Sequence, residues 1–362
     1  MRDNLKNTIL VCFSIATSFV LCELLARGLG MGVDFLGVTL EQDARYGHRV
    51  ASEVVVDSWG FRNHGTPGKA EIVCIGDSQT YGVNASSGNS WPSQLSRTIN
   101  RTTYNLAVGG YGPIQYERMW DDYVAELDPS IVIFAVYLGN DIRDAFVYTG
   151  LLPEDDPLRP DSVPSLPRVG NGTGNDMLRG VREFLYRNSI SYNMMKLLFP
   201  RTADRLKRID HKGVDEIETD GRVMSFDVTV RLEAIQQKNS ENVIGLNITL
   251  EIIRKIARKC RESGRRCVLA VIPTKESVYE RVVREAGASN GPFEMLWAAE
   301  KSVRESILDA AAEARMETVD LLPSLAEAAD SSDIYPGFDG HPNANGYRII
   351  AQSIGQKIME RR

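Results

Sequence analysis

Ser78 stands in Gly76-Asp77-Ser78-Gln79-Thr80-Tyr81-Gly82, a tight turn of small residues that follows directly on the apolar run Ile72–Ile75. A serine hydroxyl in such a turn is a candidate nucleophile, but it is inert without a base and without donors for a developing oxyanion. The chain holds candidates for both. His341 lies in Asp339-Gly340-His341-Pro342-Asn343, where a carboxylate two residues upstream can fix the imidazole tautomer. The stretch from Asn105 to Gly112 contains Gly109-Gly110 and can present a bare backbone N–H; Gly139-Asn140-Asp141 offers a side-chain amide. Acyl-ester chemistry follows from these types: attack by Ser78 Oγ, proton transfer through His341, orientation by Asp339, and an oxyanion hole made of the Ser78 N–H, the Gly110 N–H and Asn140 Nδ2. Asp77 reads as a turn cap. A backbone carbonyl or Asp333 is the alternative support for the histidine.

Such groups must be brought together by the fold. From Ala70 onward, apolar runs alternate with helix-period stretches, which predicts an α/β domain with a parallel sheet and covering helices. The expected strands are Glu71–Ile75, Thr103–Leu106, Ile131–Tyr137, Cys267–Ile272 and Glu317–Asp320. Helices are expected over Trp91–Ile99, Pro113–Leu127, Asn242–Glu262, Phe293–Ala314 and Asn345–Met359. In an open sheet of this kind ligands bind beyond the carboxyl ends of the strands, and the four candidate blocks fall there or just before the last helix. Leu151–Gly174 reads as loop and lies in an insertion of about residues 145–265.

In their order, Ser78, Gly110, Asn140 and His341 resemble the SGNH hydrolase superfamily, the GDSL esterases and lipases, over about Ile72–Arg361. The resemblance implies a three-layer α/β/α, flavodoxin-like fold with a five-stranded parallel sheet, and a serine esterase acting on O-acyl groups without cofactor or metal. The expected substrate is an acylated carbohydrate of the cell envelope or an exported polysaccharide, or another small ester. The spacing Asp339-x-His341, with Phe338 where the family usually has its aspartate, is similar to alginate-type polysaccharide O-acetylation enzymes. An O-acetyltransferase using the same residues is therefore a second reading, and a noncatalytic module of an export assembly a third, disfavoured by the intact residue set. Pro273-Thr274-Lys275 resembles an element of anchored members; Lys275 either contacts substrate or opens a helix.

The 43% hydrophobic and 25% charged composition excludes a disordered or collagen-like chain. With 42 basic against 48 acidic residues, the net charge of -6 gives no general attraction for nucleic acid. Arg179–Lys212 carries a local basic excess, read as a solvated helical face next to the acidic run Asp215–Asp220, the alternative being attraction for an anionic polysaccharide or a membrane surface. Thr8–Cys22 is an uncharged stretch preceded by Arg2 and Lys6, short against a span of about 20 residues. It reads as a signal anchor over residues 1–30 that holds the catalytic domain outside the cytoplasm, the alternative being a cleaved signal and a secreted or periplasmic protein. Residues 31–69 form a turn-rich lead-in laid on the domain of residues 70–362, with a short strand expected over Ser52–Val56. His48, His64 and His211 are expected at the surface. Cys260 and Cys267 are either bridged or two buried thiols.

Overall fold

Short apolar runs, rich in β-branched residues, are buried on both faces and pair into one sheet. The computed structural model describes residues 14, 17–25, 40–50, 56–63, 68–156, 159–160, 215–219, 222–337 and 339–360. Two units divide the chain, residues 1–38 with 170–212 and residues 39–169 with 213–362. In the first, residues 17–25 are helical, with Val20, Leu21, Leu24 and Leu25 exposed. Among the described residues no helix is long and apolar enough to cross a membrane. The rest of the apolar segment, Arg179–Lys212, His64, His211 and all of Ser52–Val56 but Val56 lie outside the described residues.

The second unit is built on five parallel strands. In chain order they are β3 (Ile72–Gly76), β4 (Thr103–Ala107), β5 (Ile131–Tyr137), β8 (Arg266–Ile272) and β9 (Glu317–Asp320), arranged β4-β3-β5-β8-β9. This is the flavodoxin-like order, whose switch point lies between the first strand and its two neighbours. Every residue of β3 and β5 is buried. On one side, helix α2 (Trp91–Ile99) packs against the C-terminal helix α10 (Ala344–Met359). On the other, α6 (Ser240–Ser263) packs against α3 (Pro113–Met119), α4 (Asp141–Val147) and α8 (Gly291–Glu313). Side-chain caps set several of these helices: Asn239 accepts from the Glu241 N–H, Asn290 from that of Phe293, and Asn343 from those of Asn345 and Gly346. Part of the expected insertion is thus sheet cover, because α6 is the crossover from β5 to β8. Cys260, on α6, and Cys267, on β8, are joined by a disulfide with Cα atoms 6.1 Å apart.

Three details differ from the sequence expectation. The helix expected over Pro113–Leu127 is α only to Met119, continues as a π turn over Trp120–Val124, and ends in Ala125–Leu127. Asp215–Thr219 forms β6, paired with β7 (Arg222–Phe226) in an antiparallel hairpin. The acidic run hides a period of two there, with Ile217 buried between exposed Glu216 and Glu218. The lead-in also carries a hairpin, β1 (Leu40–Asp43) and β2 (Gly47–Val50), followed by a turn from Asp57 to Asn63 that lies along the edge strand β4. There the Asn105 N–H donates to Asn63 Oδ1 (2.9 Å) and Asn63 Nδ2 donates to Asn105 O (3.1 Å). One amide side chain thus takes up both backbone groups of an edge residue, as a neighbouring strand would.

Candidate active site

The turn after β3 places the serine. Asp77 caps helix α1 (Ser78–Tyr81), its Oδ1 accepting from the Gln79 N–H (2.9 Å), and Gly82 ends the helix at a φ of +93°. Arg62, only 2% exposed, holds the following loop by donating to Gly82 O (2.7 Å) and Ala85 O (2.8 Å). Ser78 itself is half-buried at the head of α1.

Ser78 Oγ lies 2.8 Å from His341 Nε2, and His341 Nδ1 lies 2.7 Å from Asp339 Oδ1. A contact of 3.4 Å from Ser78 Oγ to Asp77 Oδ2 is the weaker option for the hydroxyl proton. The short spacing works because Asp339 Oδ1 also accepts from the backbone N–H of His341 (2.7 Å), so the local turn that caps this loop delivers the ring to the same oxygen. Asp339 therefore fills the position that the sequence left open to a carbonyl or to Asp333. Asn84, with φ +66°, donates from Nδ2 to Asp339 Oδ1 (2.9 Å) and to His341 O (3.2 Å). Burial opposes the charge on Asp339, but the hydrogen bond and charge of His341, with help from Asn84, hold its carboxyl down to about 2.

The loop after β4 brings Gly109 against the serine: a Cβ on Gly109 would stand 3.6 Å from Ser78 Cβ. Gly110 follows in the left-handed region, with φ +80°, a conformation that favours glycine. Asn140 follows β5 at the N-cap position of α4; its Nδ2 donates to Asp144 Oδ2 (2.7 Å), which leaves the second amide hydrogen for another acceptor. Behind these loops sit three buried acids. Desolvation raises the carboxyls of Asp77, Asp141 and Asp144, with repulsion from Asp144 adding to it at Asp77 and repulsion from Asp77 and Asp144 adding to it at Asp141. Asp141 accepts from the Tyr137 N–H (3.0 Å) and from Tyr116 Oη (3.0 Å), tying β5 to α3 and α4.

Lys275 opens helix α7 (Lys275–Val278) and is 1% exposed. Its Nζ donates to Ser225 O (3.1 Å), Pro336 O (3.0 Å) and Gly337 O (3.0 Å), so all three protons are spent on the backbone of β7 and of the loop before Asp339. Burial pulls its amine down to about 8. Of the two roles open to this lysine, the structure gives it the structural one. His48 is a correction: expected at the surface, it is half-buried against the Gly109–Gly110 loop, with Nε2 2.8 Å from Gly109 O. Asn84, Arg62 and His48 were missed because their signal is a tertiary contact with no local pattern. Among the described residues no group of His, Cys, Asp and Glu could hold a metal ion.

The four blocks through which the sequence resembles the SGNH, or GDSL, hydrolases thus stand at the strand ends of one parallel sheet or just before the last helix. No protein-family model matches the chain. It is 32% identical over 110 residues to the probable alginate O-acetylase AlgJ of Pseudomonas aeruginosa, a match covering 30% of this chain and 26% of that protein. The chain thus spans about a quarter of that relative's length. Similar solved structures include a putative lipolytic protein of the G-D-S-L family from Desulfitobacterium hafniense (14% identity, TM-score 0.41, covering 80% of this chain and 99% of that one). Another is a catalytic mutant of Axe2, an acetylxylan esterase from Geobacillus stearothermophilus (11% identity, TM-score 0.40, covering 81% and 96%).

Proposed function

We propose that the protein is a serine acyl-ester enzyme acting on O-acyl, chiefly O-acetyl, groups of cell-envelope or exported polysaccharide. The observation that carries the reading is the continuous chain Ser78 Oγ, His341 Nε2, His341 Nδ1, Asp339 Oδ1, with links of 2.8 and 2.7 Å. His341 accepts the hydroxyl proton as Ser78 Oγ bonds to the acyl carbon. The negative oxygen of the tetrahedral intermediate is received by the Ser78 and Gly110 N–H groups and by Asn140 Nδ2. The intermediate then collapses, and His341 returns the proton to the departing alkoxide. The acyl-serine is released by a second hydroxyl, whose proton passes to His341 and on to Ser78.

Water as that second hydroxyl makes an esterase; a sugar hydroxyl makes an O-acetyltransferase. The local match to a probable alginate O-acetylase supports the transferase reading, as does the Asp-x-His spacing. Incubating the full chain with an activated acetyl ester, with and without oligosaccharide, separates the two: free acetate marks hydrolysis and acetylated sugar marks transfer. Ser78→Ala should abolish both with the fold unchanged, and undiminished turnover in that variant would refute the assignment.

The proposal includes location. Exposed Val20 and Leu21 end the uncharged segment Thr8–Cys22, which Arg2 and Lys6 precede, exposed Leu24 and Leu25 follow it after Glu23, and the Cys260–Cys267 disulfide suits an oxidising compartment. Full-length protein should sediment with membranes, its catalytic domain open to protease from the noncytoplasmic side. A shortened soluble product would show a cleaved signal.

A further inference from the structure

Resting on the reading of Ser78 as nucleophile, we infer that His48 is a positioning residue for the reaction, gripping the Gly109 carbonyl so that the Gly110 N–H points at the developing oxyanion.

Those two groups belong to one peptide. It is planar and trans, so its C=O and N–H point in opposite directions, and fixing one fixes the other. A peptide between two glycines is otherwise easy to rotate, since neither flanking residue has a Cβ to limit it. His48 Nε2 lies 2.8 Å from Gly109 O. A carbonyl only accepts, so Nε2 must carry the hydrogen. The other ring nitrogen, Nδ1, lies 3.2 Å from Tyr148 Oη, whose hydroxyl can donate to it. Both contacts are satisfied by the neutral imidazole protonated on Nε2. Burial favours that neutral state by lowering the ring's affinity for a second proton.

The ring is also held from the sides. Tyr111 meets it edge-on, with centroids 5.0 Å apart, and Tyr111 Oη donates to the His48 backbone oxygen (2.7 Å). Two ring atoms stand 3.5 Å from where a Cβ on Gly110 would be, so the imidazole lies directly against the residue it orients. Donation to the carbonyl has a second effect: it polarises the amide and strengthens the N–H at its other end. The cost of aiming the donor is met when the protein folds, which is the condition under which an oxyanion hole lowers a barrier.

The test uses the full chain, an activated acetyl ester and an arylboronic acid, whose tetrahedral adduct on Ser78 carries a negative oxygen where the oxyanion forms. Losing a whole donor costs about 10²- to 10³-fold, so a donor left in place but poorly aimed should cost about 10- to 100-fold in kcat. His48→Ala should show that loss with KM within about twofold and with boronate affinity weakened in parallel. His48→Gln, which restores an N–H at similar reach, should recover most of it, and Tyr148→Phe should fall between. Circular dichroism and thermal melts verify that each variant is folded. A folded His48→Ala with kcat and boronate affinity within about threefold of the parent overturns the inference. So does a loss confined to KM, or a folded His48→Gln no better than alanine. Should the alanine variant not fold, Tyr148→Phe and His48→Gln decide: unchanged kcat in the former together with full loss in the latter refutes the role. A parent chain that leaves the ester intact refutes the nucleophile reading, and this inference with it.

Discussion

At the scale of single residues, Asp339 does two jobs with one oxygen, closing its own turn and orienting His341. Asp339→Asn keeps the turn but offers the ring an oxygen and an NH2 group in place of a charge, which permits the wrong tautomer. Steady-state kinetics should show a loss of about 10⁴-fold in kcat, and His341→Ala should lose as much as Ser78→Ala, since the three act as a unit. A loss below about tenfold for Asp339→Asn would remove Asp339 from the machinery. Asn84 is a separate case, because its amide bonds to Asp339 and to the His341 carbonyl and not to Ser78. Truncating it leaves Asp339 Oδ1 with its two bonds from His341 but loosens the loop, and a drop of about tenfold in kcat is expected for Asn84→Ala. Asn84→Gly suits the left-handed backbone and separates strain from the lost hydrogen bond: equal losses in the two variants assign the effect to the amide.

Elements set these residues in place, and Lys275 shows how. One ammonium group gathers β7, the loop before Asp339 and the start of α7. Lys275→Met fills the volume but leaves three buried carbonyls without their donor, which should cost about 2–4 kcal/mol by urea unfolding and lower kcat through the displaced loop. The junction of β5 and α4 makes a prediction about pH. Asp141 is held protonated by burial and by the charge of Asp77, so the folded state keeps a proton that the unfolded chain releases near pH 4. Stability from this group is therefore present at low pH and declines as pH rises from about 4 toward the raised folded value. Asp141→Asn retains an acceptor for the Tyr137 N–H and Tyr116 Oη, and its melting temperature should fall less than the parent's between pH 5 and pH 7.5. Equal falls would contradict this. The five core strands were legible because a run such as Ile131–Tyr137 is apolar throughout and has nowhere to go but a buried sheet. The blocks around Ser78, Gly110, Asn140 and His341 stood out because each follows such a strand or lies just before the last helix. The two hairpins did not: four- and five-residue strands with one buried position, such as Ile217 among glutamates, carry too little period to stand out from a charged loop. His48 was hidden for the same reason, being a polar residue on one of those strands whose partner lies 61 residues away.

On the scale of the whole molecule, the described residues of the lead-in between 40 and 63 belong to the same unit as the sheet. They supply His48, bury Arg62 under the loop after α1, and lay the turn from Asp57 to Asn63 along β4. The disulfide from α6 to β8 lies elsewhere, and closing so short a loop adds about 2–3 kcal/mol at most by the chain-entropy argument. Asn63 has the wider consequence. It occupies the backbone of Asn105 at the sheet margin as a terminating cap occupies the last rung of a ladder, and its removal would leave that rung open to another molecule. A chain begun at residue 70, where the alternating pattern starts, would therefore expose β4 and recruit copies of itself. Light scattering on such a fragment should report growing particles where the longer protein stays dispersed, and Asn63→Ala in the full chain should show a milder form of the same self-association. An edge residue whose two backbone groups rest on one amide is vulnerable to deamidation: conversion of Asn63 to aspartate would place a carboxylate against the Asn105 carbonyl and loosen the margin as the protein ages.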